Sequence, residues 1–211
     1  MRGAVMRLGR RFARTATNAV VRQPRLWPLF RPLVARQFDW LAPKWDAIRS
    51  PDHLSSFGAA LAAVDAQPRR VLDLGTGTGD AAFLIARCFP GAEVVGADLA
   101  AEMVEHARRK TPPELAGRVR FVQADSASLP FADEEFDLVG LANMIPFFDE
   151  LARVVAPGGY AVFGFSAGAQ TPIYVPFERL RRELAERGFA EFTEFAVGPG
   201  TALLAHKAKS P

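Results

Sequence analysis

Glycines at 75, 77 and 79 stand between an apolar run, RRVLDL (69–74), and the start of a helical pattern. At such a turn the missing side chains let the backbone approach a ligand, and free amides can face it. The spacing is G-x-G-x-G, and Asp80 occupies the place where a dinucleotide fingerprint puts its third glycine, so a nicotinamide or flavin reading loses support. Asp98 closes the next apolar run about 20 residues after the loop, where a carboxylate can accept hydrogen bonds from both hydroxyls of a ribose. Asp125 closes a third run and Asn143 follows a fourth. Ligands of open parallel sheets bind outside the carboxyl ends of the strands, so Asp73, Gly75, Thr76, Gly77, Gly79, Asp98, Asp125 and Asn143 are expected to converge on one crevice. A single acid at a strand end is often only a helix cap. Polar residues at four successive strand ends read as a site.

The elements that must position these residues follow from periodicity and punctuation. The pattern predicts a helix over 53–66, a strand over 69–74, a helix over 79–88, a strand over 92–99, a helix over 100–110 and a strand over 119–125. It continues with a strand over 136–143, a helix over 147–155, a turn at Pro157-Gly158-Gly159 and a strand over 160–166. Alternating short apolar runs and helices call for an α/β fold with a doubly wound, mostly parallel sheet. After 172 the order changes to a helix over 176–187 and strands over 189–197 and 201–207, whose tight turn makes them an antiparallel hairpin. Residues 1–50 are set apart as a basic, tryptophan-containing helical segment, with short helices broken at Pro24, Pro28, Pro32 and Pro43, and residues 51–211 form the ligand-binding domain.

The stretches VLDLGTGTGD, ADLAAEMVEHAR, FVQADSASLPF, FDLV and ELARVVAPGG, in that order over about 95 residues, resemble the successive motifs of class I S-adenosylmethionine-dependent methyltransferases. The likeness is nearest to the small-molecule group that includes quinone- and sterol-modifying enzymes, and FDWLAPKWD (38–46) is similar to that group's opening. The resemblance implies the Rossmann-like fold ending in an antiparallel hairpin, S-adenosyl-L-methionine as cofactor and methyl transfer as activity. It further implies that Asp73 with the backbone of Gly75 and Gly77 holds the methionine portion, that Asp98 binds the ribose hydroxyls, and that Leu99 lies against the adenine. Asp125 and Ser126 would bind the adenine edge, the backbone of residues 141–143 would line the methyl donor, and Trp45 would cover it. The chain departs from the family between the fourth strand and ARVVAPGG, where only MIPFFDEL (144–151) intervenes in place of a longer loop and helix. The floor of the acceptor site is the part this alters.

Methyl transfer from a sulfonium is a displacement that needs alignment and dryness, and a general base only where the acceptor must lose a proton. His53, Asp46 and Tyr174 are the candidates, none in a recognisable motif, so no catalytic residue is assigned. No His, Cys and Asp cluster has metal-ligand spacing, and no serine forms a nucleophile elbow. The single cysteine, Cys88, is expected to be a buried packing residue, and with no pair to oxidise a cytoplasmic setting is the expectation.

Charge is concentrated at the start. Residues 1–38 hold nine arginines and no acid, whereas the chain as a whole carries only +3. No window is apolar enough over about 18 residues to span a membrane. The basic segment has three readings: a lid, an organellar targeting peptide, or a peripheral contact of residues 1–37 with anionic membrane in which Trp27, Leu29 and Phe30 enter the interface. The aromatic, apolar surroundings favour a small organic acceptor. A nucleic-acid methyltransferase that neutralises phosphates with the arginines, or a non-catalytic module that binds S-adenosylmethionine, is the alternative.

Overall fold

A computed structural model describes the backbone of residues 2–209 and the side chains from residue 9. The sheet is built from β1 (Arg70–Leu74), β2 (Glu93–Asp98), β3 (Val119–Gln123), β4 (Phe136–Ala142), β5 (Val155–Phe165), β6 (Phe189–Val197) and β7 (Gly200–Lys207). Their order is β3-β2-β1-β4-β5-β7-β6; the first five are parallel, and β7 runs antiparallel to both of its neighbours. Helices α4 (Ser55–Ala62), α5 (Asp80–Cys88) and α6 (Ala101–Arg109) contribute to one face. The other is covered by α7 (Phe148–Val154) and α8 (Phe177–Ala185).

Alternation explains why both faces can be covered. Successive side chains of a strand point to opposite sides, and Val71, Leu138 and Val162 pack with Phe57 and Ile85 while Leu72, Val139 and Phe163 pack with Leu151 and Leu180. Central strands buried on both faces read as near-continuous apolar runs, with Asp73 of β1 the exception. Phe57 shows how closely the layers meet: a Cβ on Gly140 or Gly164 would come within 2.8 or 2.9 Å of its ring.

The N-terminal segment differs from the expectation of short broken helices. It forms α1 (Arg2–Arg22, 21 residues), α2 (Trp27–Leu41, 15 residues) and a single turn, α3 (Trp45–Ile48). Pro24 and Pro43 fall in the 3-10 turns that join these helices, and Pro28 sits in the first turn of α2, where no amide is needed. Only Pro32 lies inside a helix, and the bond it forfeits is to Pro28, at the helix start. Strand β5 also begins earlier than the turn at 157–159 predicts: Val155 pairs with Phe136, the ladder slips, and pairing resumes at Tyr160 opposite Leu138. Pro157 has no amide to donate, so the extra residues bulge. Cys88 is exposed rather than buried: it is the last residue of α5, beside the exposed Arg87.

Candidate active site

A cavity of about 960 Å³ opens at the carboxyl edge of the sheet, large for a small-molecule site and lined chiefly by apolar side chains. Gly75, Thr76, Gly77, Asp98, Leu99, Ser126 and Asn143 line it, with Met144 and Ile145 beyond β4. Helices α1, α2 and α3 supply the facing wall through Phe12, Ala16, Val34, Phe38 and Trp45. They are tied down at several points: Arg14 donates to the carbonyls of Ala169 and Thr171 at 3.1 and 3.0 Å, and Asp39 accepts from the amide of Glu102 at 3.0 Å.

The glycine loop is shaped by its own amides. Gly75 and Thr76 both donate to the carbonyl of Ala97, at 2.8 and 3.1 Å, Gly77 donates to Asp98 Oδ2 at 2.8 Å, and Gly79 donates to the carbonyl of Thr76 at 2.9 Å. Four of the loop's amides, those of Gly75, Thr76, Gly77 and Gly79, are therefore already bonded within the protein. What the glycines provide is backbone shape and room. Gly75 and Gly77 hold φ of +69° and +54°, a Cβ on Gly75 would lie 2.5 Å from Met144 Sδ, and one on Gly77 would lie 3.2 Å from the indole nitrogen of Trp45.

The two acids nearest the loop behave differently from surface carboxylates. Asp98 accepts from Gly77 through one oxygen and from the amide of Ala100, at 2.9 Å, through the other. Burial nevertheless pushes its carboxyl above the usual range, against those two hydrogen bonds. Asp73 has no exposure at all and sits beneath the loop, where its Oδ2 accepts from Thr76 Oγ1 at 2.6 Å. Burial raises it to about 7, against the Thr76 hydroxyl and the amide of Ala82, and its Oδ1 makes no well-formed hydrogen bond. A buried acceptor without a well-formed hydrogen bond is costly; Asp98 lines the cavity, whereas Asp73 lies behind its wall.

Asp125 is placed otherwise than its position suggests. Its Oδ1 accepts from Trp27 Nε1 at 2.9 Å and from the amide of Ala127 at 3.0 Å, and its Oδ2 lies 3.0 Å from Arg31 Nε. The carboxylate thus clamps α2 to the end of β3, while Ala124 and Ser126 on either side reach the cavity. Asn143, at φ +54°, turns the chain after β4, and its Oδ1 accepts from the amide of Ser166 at 2.9 Å. Gly79 opens α5 and packs near Phe83 and Phe121 rather than on the cavity wall.

Of the three candidate bases, His53 alone lines the cavity. Its Nδ1 lies 2.7 Å from the carbonyl of Ser50, and its Nε2 makes no hydrogen bond but faces Asp80 Oδ2 at 3.7 Å. Burial, and then the Arg49 guanidinium, push its pKa below the ordinary histidine value, which favours the neutral ring. Asp46 is saturated: it accepts from Thr78 Oγ1 at 2.5 Å and from Lys110 Nζ at 2.7 Å. Burial raises its pKa, but the hydrogen bonds from Lys110 and Thr78 outweigh that and hold it low. Tyr174 packs against Phe165 at a ring distance of 5.0 Å, away from the wall. Arg49 and Lys110, which no sequence signal marked, bind Asp80 and Asp46 together and so fasten the turn after α3 to the glycine loop.

The methyltransferase-domain family matches residues 71–159. Demethylmenaquinone methyltransferase of Thermus thermophilus is 44% identical over 141 residues, 59% of this chain and 62% of that protein. The ubiquinone/menaquinone biosynthesis C-methyltransferase UbiE of Geotalea daltonii is 33% identical over 165 residues, 70% of this chain and 67% of its own length. A solved S-adenosylmethionine-dependent methyltransferase from Aquifex aeolicus superposes with a TM-score of 0.62 at 17% identity, covering 79% of this chain and 98% of that one. The chain belongs to the class I S-adenosylmethionine-dependent methyltransferases. It spans 62% of the length of the Thermus relative.

Proposed function

We propose that this protein transfers a methyl group from S-adenosylmethionine to a small, largely apolar organic acceptor. The observation that carries the reading is the single cavity that runs from Asp98 and the glycine loop into the apolar wall of α1 and α2. Asp73 and Asp98, both raised by burial, fit a ligand with cationic ammonium and sulfonium groups, and Asp98 keeps lone pairs for ribose hydroxyls. Leu99 and Ser126 would flank the adenine, and Trp45, beside Gly77, would close over the methionine end. Asp125 holds the α2 wall through Trp27 and Arg31 instead of contacting the cofactor directly.

Bound S-adenosylmethionine supplies an electrophilic methyl on sulfur. The chain's own part is to bind, align and exclude water, which the apolar walls do. Where the acceptor must lose a proton, His53 is the candidate on the cavity wall: its Nδ1 is committed to Ser50, and its Nε2, which makes no hydrogen bond, would take the proton beside the Asp80 carboxylate. The relatives' names point to acceptors of the quinone class, and such a molecule suits these walls. It would be met in the cytoplasm at a membrane surface, so peripheral contact of residues 1–37 with anionic membrane is part of the proposal. No helix among the described residues is long and apolar enough to cross a membrane.

The test is calorimetric titration with S-adenosylmethionine and with NAD, followed by mass-spectrometric detection of methyl transfer to hydroquinone acceptors. Binding of the first alone, with methylated product, supports the reading. Binding without turnover on any acceptor would leave the non-catalytic alternative standing, and no binding would remove the proposal.

A further inference from the structure

The surface that α2 turns to solvent is unusual for an ordinary wetted helix. Leu29, Leu33 and Trp40 are 70%, 55% and 59% exposed, and Ile48 is 43% exposed just beyond. Positions 29, 33, 36 and 40 fall within about 60° of arc at 3.6 residues per turn, so the two leucines, Arg36 and Trp40 form one stripe. Lys44 Nζ lies 5.2 Å from the Trp40 ring, and Arg25 is exposed one turn before Leu29. Among the described residues none of Arg25, Arg36 and Lys44 is in an ion pair with an acid. The acid nearest on this helix, Asp39, is turned to the amide of Glu102.

We propose that this stripe docks the protein on an anionic lipid bilayer, with Leu29, Leu33 and Trp40 in the interface and Arg25, Arg36 and Lys44 against lipid headgroups. Charge complementarity and exposed apolar area point to the same occupant. Basic residues alone would suit any polyanion, but a nucleic acid gives two leucines nothing to bury against, whereas the interfacial region of a bilayer accepts leucine, tryptophan and cations together. The set differs from the one that the sequence suggests: Trp27 is 5% exposed and bonded to Asp125, and Phe30 packs near Phe12 with ring centroids 6.3 Å apart. Trp40 and Ile48 also line the cavity. Its mouth therefore lies at the docking surface, and an apolar acceptor can pass from bilayer to site without crossing water. The docking deepens the membrane contact proposed above by naming its face, and that last step rests in addition on the proposed methyl transfer.

The experiment is sedimentation of the full chain with vesicles of phosphatidylcholine alone or mixed equally with phosphatidylglycerol, for the parent and for Leu29→Ser/Leu33→Ser. Neither leucine lines the cavity. The parent should bind the mixed vesicles, less at high salt, and the double variant should bind them at least about ten-fold more weakly because two leucines no longer enter the interface. Equal sedimentation of parent and variant, or of the parent with both vesicle types, overturns the docking surface. So does salt-sensitive binding to duplex RNA without binding to vesicles. S-adenosylmethionine titration of the same preparations separates the two ideas: intact cofactor binding with no vesicle binding removes only the docking, and vesicle binding with no cofactor binding removes only the methyl-transfer reading.

Discussion

At the scale of single residues, the site is organised by two carboxylates that water does not reach freely. Asp98 already accepts one amide on each oxygen, so what it offers a ligand is its remaining lone pairs in a desolvated crevice. Asp98→Ala should lower S-adenosylmethionine affinity by about ten-fold or more, since hydrogen bonds to a charged acceptor are the stronger ones; an unchanged calorimetric dissociation constant would move the site elsewhere. Asp73 carries a pH signature. Its pKa is raised to about 7 in the folded protein, so between the ordinary carboxylate range and about 7 the native state binds a proton that the unfolded state has lost. Stability of the ligand-free protein should therefore be fullest at the acid end of that window and fall as pH rises towards 7, then level off. Asp73→Asn should flatten this slope in denaturant titrations across that range. A slope that survives the substitution would place the responsible group elsewhere.

At the scale of elements, the N-terminal helices are held at several specific points, and Trp27 is one of them. It is buried, meets Phe147 edge-on at a ring distance of 5.2 Å, and donates its indole hydrogen to Asp125. Trp27→Ala should cost about 3–5 kcal/mol in chemical denaturation if α2 unfolds together with the sheet, the usual range for removing a buried large aromatic. Hydrogen exchange resolves the alternative: should α2 exchange freely while the sheet stays protected, the helix would be an independently opening wall over the cavity. The sheet itself was legible in advance because each strand carries its own signal, an apolar run ended by a polar residue or a glycine turn. The N-terminal helices were less so, since prolines in first turns and linkers look in sequence like helix breakers.

At the scale of the whole molecule, ligand binding and folding are linked. S-adenosylmethionine at a hundred times its dissociation constant should stabilise the native state by about 2.7 kcal/mol, which for a chain of this size raises the melting temperature by roughly 5–10 °C; NAD should leave it unchanged. A scan showing no shift with either would argue against a preformed cofactor site. The order of strands and helices, the glycine loop and the polar strand ends were determined by the sequence alone, because they rest on interactions among near neighbours. What the loop and the acids do was decided only in three dimensions. The amides of Gly75 and Thr76 are taken by Ala97, and Asp125 is taken by Trp27, 98 residues away, and by Arg31. The face of α2 was equally undetermined. Apolar residues occur on nearly every side of WPLFRPLVARQFDWL, so its pattern cannot choose an inner stripe. Contact with the sheet edge makes that choice, burying Trp27 and leaving Leu29, Leu33 and Trp40 in solvent.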